Sequence, residues 1–485
     1  MSEKKRMIKD VTGYSISSIL TQLLSIIRGI VVARFLGPAL YGIFNLLRIL
    51  LGYSQYSQLG MLPAMSKEIP YRKGRGEPIE NIKNIVFTIT LIISLIIGLG
   101  VIVFSFLFSS MFPESLISGL RIVSVLILLQ QIYFFYSNYL RAVKEFIFIS
   151  IIEILMTVIN FALTILFLIY GFSLNGILVA LMISYVVVII YIIRKMKIPL
   201  KLYFEKIQAF VLLRNGLPLL LIGIGNICLD SIDKLMIAGF YGTNELGLYS
   251  ISAMIIAFML SFSSSAGSVM FPSMMEQYGK RRNEEDLKNY LMKPLVIISC
   301  ATAILIGIVF IAIPMAVQVF LPKYILGVDA IRIVIFSTFF IAITSILGNY
   351  MIAVNKERIV IAIQFISIGL TITLNYITIM LGYGLTGIAM ATVATFAFYS
   401  TCILFISLRK QPDMIKIISK LYFPLVYVIG LVVIMEKLIN PGNLIWTISE
   451  LGIFAILCLP LIIYINRETS VISEMFSMAK KRIKI

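Results

Sequence analysis

The chain has 485 residues, of which 60% are hydrophobic and only 13% charged. Soluble domains carry roughly 45–50% apolar and about 25% charged residues, so this composition excludes an ordinary soluble protein and indicates a membrane protein. The formal net charge is +18 and the chain contains no histidine. An enzymatic interpretation therefore lacks the most common general base and metal ligand.

Apolar runs long enough to cross a hydrocarbon core recur along the chain. We read fourteen of them, centred on residues 11–33, 40–62, 84–110, 115–140, 146–170, 173–193, 215–238, 245–271, 294–320, 326–350, 359–381, 384–408, 421–436 and 444–464. Lipid offers the backbone no hydrogen-bond partner, and the runs lack the alternation of barrel strands. The sequence therefore predicts an all-α polytopic membrane protein with fourteen transmembrane helices.

The distribution of lysine and arginine predicts the orientation of these helices. Of the 41 basic residues, 33 fall at the N-terminus, the C-terminus and alternate connections, 3 fall in the opposite connections and 5 fall inside spans. Basic residues near span ends collect in the cytoplasm, so both termini are expected there. This topology and attraction to anionic lipid heads account for the positive charge, so nucleic-acid binding is not expected.

Cysteine usage predicts neither a metal site nor a disulfide framework. The four cysteines all fall in apolar spans without metal-ligand spacing: Cys228, Cys300, Cys402 and Cys458. Such residues usually behave as small buried hydrophobes.

An internal repeat divides the chain. Residues 27–46, IRGIVVARFLGPALYGIFNL, align with residues 232–251, IDKLMIAGFYGTNELGLYSI, with five identities in twenty at an offset of 205. Two further matches, 138–143 with 349–354 and 171–180 with 382–391, have an offset of 211. We predict one six-helix bundle over 1–200, a second over 201–410, and two additional helices with a basic cytoplasmic tail over 411–485. Gly37 and Gly242 are expected in equivalent turns, with Gly42 and Gly247 opening the next helices.

The motif RFLGPALYGIF after the first predicted helix, the two six-span halves and the basic loop between them resemble the polysaccharide-export or O-antigen flippase family. That family belongs to the multidrug/oligosaccharidyl-lipid/polysaccharide flippase superfamily, and the resemblance covers about the whole chain. It implies a V-shaped pair of bundles that moves an oligosaccharide linked to a polyprenyl diphosphate across the cytoplasmic membrane by alternating access. Implied partners are this lipid-linked oligosaccharide, membrane lipids, and a glycan polymerase or glycosyltransferases of the same pathway.

Several predicted spans carry polar stripes. At about 100° per residue, polar side chains align on single helix faces: Ser18, Thr21, Gln22, Ser25 and Arg28 on the first; Asn45, Arg48, Gly52, Gln55 and Tyr56 on the second; Arg121, Ser124, Gln131 and Asn138 on the fourth; and Glu153, Thr157, Asn160 and Thr164 on the fifth. The fifth stripe recurs on the eleventh span as Gln364, Thr371 and Asn375. The stripes either bridge packed helices or line a water-filled cavity.

Five basic residues lie inside spans, where an ionisable group costs about 2.5–3.5 kcal/mol on insertion scales. They are Arg28, Arg48, Arg121, Lys234 and Arg332. They either snorkel or pair internally, or they line the cavity together with Gln22, Asn45 and Gln55. A basic cavity suits a diphosphate-linked sugar lipid, because guanidinium binds phosphate bidentately. Arg34, near the outer end, is expected to be an interfacial anchor.

The seventh span carries a candidate site for cation coupling. Asn226, Asp230 and Asp233 fall within an arc of about 60°, and their oxygens suit a sodium ion or a proton. The alternative is that one aspartate neutralises Lys234 or an arginine. No other cofactor is expected.

Two other functional classes compete with a flippase. A cation-coupled multidrug exporter of the same superfamily has two six-helix units, but its usual form has twelve spans and its cargo is often cationic. A membrane glycosyltransferase or ligase would be an enzyme, but such proteins usually carry a sizeable loop or domain with catalytic residues. The outer connections here are short, and NEEDLK (283–288) in the inner loop is typical of a solvated face of mixed charge, so no enzymatic activity is expected.

Overall fold

The computed structural model describes residues 3–74, 78–143, 145–261, 284–354, 356–409, 413–438 and 444–469. These residues form helices and turns without strands, as expected for an all-α membrane protein. The helices are α1 Glu3–Ser54, α2 Met61–Gly74, α3 Glu80–Leu107, α4 Glu114–Ala142, α5 Phe146–Ile169, α6 Ser173–Met196, α7 Lys206–Phe240, α8 Thr243–Ser261, α9 Glu284–Phe320, α10 Val328–Val334, α11 Ser337–Ala353, α12 Glu357–Met380, α13 Gly384–Leu408, α14 Met414–Leu438, α15 Leu444–Leu457 and α16 Leu459–Thr469. A 3₁₀-helix, Pro322–Gly327, precedes α10.

The described part of the chain contains twelve helices long and apolar enough to cross a membrane, or thirteen if the pair Pro322–Val334 and Ser337–Ile352, bent by 46°, forms one span. The first two predicted spans fall in one of the twelve, Leu20–Ser54. The chain is thus a multi-pass membrane protein, while the count of fourteen and the cytoplasmic termini stay predictions. The basic tail from residue 470 and the loop residues 262–283 lie outside the described residues.

The predicted connector glycines interrupt helical geometry. Gly37, inside α1, has φ 70° and ψ 171°, and Gly242, between α7 and α8, has φ 96°. Positive φ is readily available to glycine and strains other residues. Gly42 and Gly247 lie buried just inside the helical segments that follow. These observations confirm the repeated turn predicted from the sequence.

The predicted second span is not continuous. It is broken between Ser54 and Met61, where Leu59 and Gly60 both have positive φ, 54° and 80°. On α4, the buried Gln131 donates from Nε2 to the backbone oxygen of Ser54 and, at 2.9 Å, to Ser57 Oγ. These bonds satisfy backbone and side-chain groups that the break releases.

The chain divides into two compact units, Met1–Ser250 and Ile251–Ile485. In the first, α1 packs on α5 and α4, α3 packs on α4, and α7 packs on α1 and α2. In the second, α9 packs on α11, α14, α15 and α16, and α13 packs on α11 and α12. The first unit includes α7 and the start of α8, because α7 contacts α1 and α2 closely. The repeat boundary near residue 200 stays a prediction.

Candidate functional site

Two arginines of the first unit form the centre of the candidate site. Arg28 is half-buried on α1, and Arg48 is exposed on the part of α1 that follows Gly37. The two guanidinium groups are close enough to interact electrostatically, and Tyr41 and Tyr185 lie near Arg28. Like charges repel each other within a membrane protein, so this arrangement favours an anion beside the two arginines.

The three polar side chains predicted beside these arginines differ in their accessibility. Gln22 is half-buried, and Gln55 is exposed where the helix breaks. Asn45 is buried and donates from Nδ2 to the backbone oxygen of Tyr41 at 2.8 Å. Gln22 and Gln55 are therefore open to a ligand, whereas one amide hydrogen of Asn45 is bound to its own helix.

Arg121 on α4 is exposed, and its guanidinium carbon lies 4.5 Å from the centroid of the Phe106 ring on α3. A cation over an aromatic face is attracted by the ring quadrupole, but its charge is not neutralised. Within the described part of the chain, Arg28, Arg48 and Arg121 form no ion pair with a carboxylate. The first unit therefore holds three unneutralised cations inside predicted spans.

Lys234 differs from these arginines because it is paired. Its Nζ lies 3.3 Å from Asp233 Oδ1 and also donates to the backbone oxygen of Asp230. Asp233 is buried, with 3% of its surface exposed, and Tyr249 donates its hydroxyl to Asp233 Oδ2 at 2.9 Å. The geometry of Asp233 matches the structural alternative, in which an aspartate neutralises Lys234.

Asp230 and Asn226 lie exposed on α7. The Asp230 carboxylate makes no hydrogen bond or ion pair among the described residues, and Tyr53 and Tyr56 lie near it. Tyr53 in turn shares a hydrogen bond of 2.7 Å with Ser231. Of the two aspartates, Asp230 is thus the one whose oxygens are open to a cation.

Arg332, on α10 in the second unit, lies among the C-terminal helices. Its Nη1 donates to Glu436 Oε1 of α14 at 2.8 Å, and its guanidinium carbon lies 3.8 Å from the centroid of the Phe310 ring. Glu450 of α15 lines the same small pocket. Arg332 is thus internally paired, and its predicted role in binding cargo stays a prediction.

The polar stripe on the fifth predicted span, and its repeat on the eleventh, can either bridge packed helices by hydrogen bonds or line a cavity. Asn160 and Thr164 on α5 and Asn375 on α12 are buried, and the side-chain nitrogen and oxygen of both asparagines have no hydrogen-bond partner in the part of the chain that the structure describes. Glu153, at the start of the stripe, pairs with Arg141 at 3.0 Å. The two asparagines therefore do not bridge helices through hydrogen bonds here.

The repeat places opposite charges at equivalent positions. The alignment of residues 27–46 with 232–251 pairs Arg28 with Asp233. Asp233 is neutralised and buried, whereas Arg28 has no carboxylate partner in the described chain. The unneutralised positive charge of this position is therefore specific to the first repeat.

Several residues around these charges were not predicted from the sequence. Tyr41 and Tyr185 lie near Arg28, Tyr249 donates to Asp233, and Glu436 pairs with Arg332. Tyrosines are common in apolar spans, so a tyrosine by itself gives no signal. Glu436 had a usable signal, because a glutamate at the end of a predicted span needs a partner or water.

Comparisons with known proteins agree with this fold. Residues 31–323 match the family described as polysaccharide biosynthesis protein. No curated protein sequence matches the chain. Its structure is similar to that of the lipid II flippase MurJ in an inward closed conformation, with a TM-score of 0.74 and 15% identity over 94% of this chain and 98% of that protein.

Two other similar structures are transporters of the MOP superfamily. A MOP superfamily transporter from Pyrococcus furiosus, whose binding pocket is described as having reverse polarity, gives a TM-score of 0.61 with 16% identity over 85% of this chain and 96% of that one. A multidrug resistance MATE family transporter in an inward-facing conformation gives 0.60 with 16% identity, over 84% and 94%. At such identities these likenesses show the fold alone. The match to the family model covers more than half of the chain, and the chain therefore belongs to the polysaccharide biosynthesis protein family of multi-pass membrane proteins.

Proposed function

We propose that this protein is a flippase, without enzymatic activity, that moves an oligosaccharide linked to a polyprenyl diphosphate across the cytoplasmic membrane by alternating access. The observation that carries this proposal is the set of three unneutralised arginines in the first unit: Arg28, Arg48 and Arg121. The family and the fold support a membrane flippase or transporter. The proposal adds the chemical class of the cargo.

A diphosphate suits the charge and hydrogen-bonding capacity of these groups. A guanidinium group donates two parallel hydrogen bonds to phosphate oxygens, and such charge-assisted bonds are about twice as strong as neutral ones. Arg28 and Arg48 repel each other electrostatically, and an anion between them would relieve that repulsion. The half-buried amide of Gln22 and the exposed amide of Gln55 would hydrogen-bond sugar hydroxyls, while the lipid tail stays in the bilayer. A polymerase or glycosyltransferases of the same pathway would supply and consume this cargo.

We propose that Asp230 is the residue that couples transport to a sodium or proton gradient. Its carboxylate is exposed and has no hydrogen bond or ion pair among the described residues, unlike Asp233. Cation binding at Asp230 would favour one orientation of the two repeats, and its release would favour the other. Asn226 lies on the same face and would supply a second oxygen.

The same exposed carboxylate supports a second candidate, a cation-coupled multidrug exporter, which would use Asp230 to hold a cationic drug. The two candidates differ in the charged residues that bind the cargo: the arginines in the flippase and Asp230 in the exporter. Cationic dye export that depends on Asp230 and is indifferent to Arg28 and Arg48 would favour the exporter.

The experiment that tests the flippase is a reconstituted assay with a fluorescent polyprenyl diphosphate oligosaccharide in proteoliposomes. Arg28→Gln and Arg48→Gln should each lower the flipping rate about tenfold, which corresponds to the loss of one charge-assisted contact. Arg34→Gln is the matched control, because Arg34 is an exposed arginine of the same helix outside the candidate site. It should flip at the parent rate.

A neutral glycolipid of the same chain length separates charge recognition from general lipid movement. The parent should move it much more slowly than the diphosphate-linked lipid. Equal flipping rates in the parent, Arg28→Gln and Arg48→Gln would return both arginines to a structural role and would remove the basis of the cargo assignment.

A further inference from the structure

We propose that a two-fold glycine clamp, formed by Pro38, Gly42, Thr243 and Gly247, closes the cargo pathway at one end of the molecule. This end is opposite the connections that carry most of the lysine and arginine residues. The backbones meet here with no room for a side chain. A Cβ atom built on Gly42 would lie 1.8 Å from the backbone oxygen of Thr243, and one built on Gly247 would lie 1.8 Å from the backbone oxygen of Pro38. All four residues belong to the first unit.

The contact has the symmetry of the repeat. At the offset of 205, Pro38 is equivalent to Thr243 and Gly42 is equivalent to Gly247. Each repeat therefore presents an equivalent glycine to an equivalent backbone carbonyl of the other repeat. An isologous interface has the same property, because one surface patch faces its own copy. The spacing of four residues places both members of each pair on one helix face, and small residues at this spacing let helix backbones approach.

Two features suit this contact to opening rather than to permanent packing. Gly37 and Gly242, one residue before each clamp segment, have positive φ and can change their backbone conformation at low cost. In the part of the chain that the structure describes, no hydrogen bond or ion pair joins the four clamp residues across the contact. Separating them therefore breaks no hydrogen bond between the described residues of the two repeats at this contact.

The clamp has a consequence for transport, and this step rests on the proposed alternating access. Gly42 lies at the start of the α1 segment that carries Arg48, and Gly247 lies on the helix that carries Tyr249. When the clamp is closed, a diphosphate beside Arg28 and Arg48 cannot leave at this end. When the clamp separates, the same segments would expose the arginines to the outer side. The clamp would thus set which side of the membrane the site can reach.

Alanine at position 42 or 247 should weaken the closed state selectively. Its Cβ must move from 1.8 Å to beyond 3.0 Å from a backbone oxygen, and the helical backbone cannot yield as a flexible side chain would. We expect the ratio of open to closed molecules to rise at least about tenfold in Gly42→Ala and in Gly247→Ala. Gly239→Ala is the matched control, because a Cβ at Gly239 of α7 meets nothing within 4 Å.

The first measurement is accessibility. Gln55→Cys, in a background without the four native cysteines, places an exposed thiol just after the end of α1, about 20 Å from Gly42 along the helix axis. A membrane-impermeant maleimide applied from the side opposite the basic loops should label this thiol slowly in the parent and in Gly239→Ala, and about tenfold faster in both clamp variants. Equal labelling rates in all four proteins would overturn the proposal.

The second measurement needs no clamp variant, and so it also covers a failure of those variants to fold. Phe35 and Phe240 are exposed, equivalent positions beside the clamp. In a protein that is otherwise the parent, spin labels on Phe35→Cys and Phe240→Cys should give two distances in double electron–electron resonance. The shorter distance corresponds to the closed clamp and the longer one to the open clamp. A single narrow distance would show a fixed packing contact and refute the clamp.

Neither measurement requires the cargo to be identified. Two spin-label distances, together with unchanged diphosphate flipping in Arg28→Gln and Arg48→Gln, would support the clamp and reject the proposed cargo. A single spin-label distance, together with impaired flipping in those variants, would reject the clamp and support the proposed cargo.

Discussion

The pair formed by Asp233 and Lys234 should be a structural element that can be measured by a double-mutant cycle. Asp233 accepts hydrogen bonds from the Tyr249 hydroxyl at 2.9 Å and from the Lys234 backbone nitrogen at 2.8 Å, and it pairs with Lys234 Nζ at 3.3 Å. Only 4% of the Asp233 side chain and 16% of the Lys234 side chain are exposed. Removing either charge leaves the other without its partner inside a predicted span.

The size of the effect follows from this burial. Removing one partner of a buried ion pair is destabilising by about 3–5 kcal/mol. Lys234 keeps a bond to the backbone oxygen of Asp230, so Asp233→Asn should fall at the lower end, near about 3 kcal/mol. Tyr249→Phe, which removes one bond to a charged acceptor, should lower stability by about 1.5–3 kcal/mol. In Asp233→Asn/Lys234→Met neither charge is left alone, so the coupling energy should be about 2 kcal/mol or more.

The assay is equilibrium unfolding of the purified variants in mixed micelles, monitored by circular dichroism. Asp329→Asn, the same substitution at an exposed aspartate of α10, is the control and should change stability by less than about 0.5 kcal/mol. Additive single effects would refute the structural role. A stable Asp233→Asn protein that has lost gradient-dependent transport would also refute it, and would make Asp233 rather than Asp230 the coupling residue.

Further predictions follow from other contacts. Asn160→Leu should raise stability by about 1–3 kcal/mol in the unfolding assay, because the buried amide has no partner; a loss of stability would indicate a bound water or ion. Gln131→Leu should lower stability by a similar amount, since it removes the bonds that satisfy the broken helix. Arg332→Glu and Glu436→Arg should each lower the unfolding midpoint, and the double variant should recover most of the loss, unless the pair is dispensable. A cysteine at Gly74 should stay unlabelled when intact cells meet an impermeant thiol reagent, because the adjoining loop is predicted to be cytoplasmic.

Most of the architecture could be predicted because the membrane restricts the choice. A long apolar run has to be a helix in lipid, and this rule predicted most of the twelve or thirteen candidate membrane-spanning helices in the described part of the chain. The repeat also located the turns at Gly37 and Gly242, where glycine takes a positive φ. The break at Leu59 and Gly60 escaped prediction, because the apolar run continues through it and Gln131, which stabilises it, lies more than 70 residues away.

The candidate site could be predicted less well, because charge in a span does not reveal its partner. Lys234 and Arg332 have the same sequence signal as Arg28 and Arg48, yet Asp233 and Glu436 neutralise the first two. Adjacent positions on a helix point in directions about 100° apart, so Asp233 beside Lys234 did not by itself predict a pair. Only tertiary structure separates neutralised cations from unneutralised ones.

The equivalence of Arg28 and Asp233 gives this difference a functional direction. Two repeats that kept the same charge at this position would present a symmetric site, and an anion would gain equally from both. Here the second repeat carries an acid that is already satisfied by Tyr249 and Lys234, so this position offers an anion no net attraction. The first repeat carries the cation without a carboxylate. For the proposed cargo, this difference predicts that the diphosphate stays with the first repeat throughout a transport cycle. Release would then be controlled by geometry, including the proposed glycine clamp, rather than by a second set of charges.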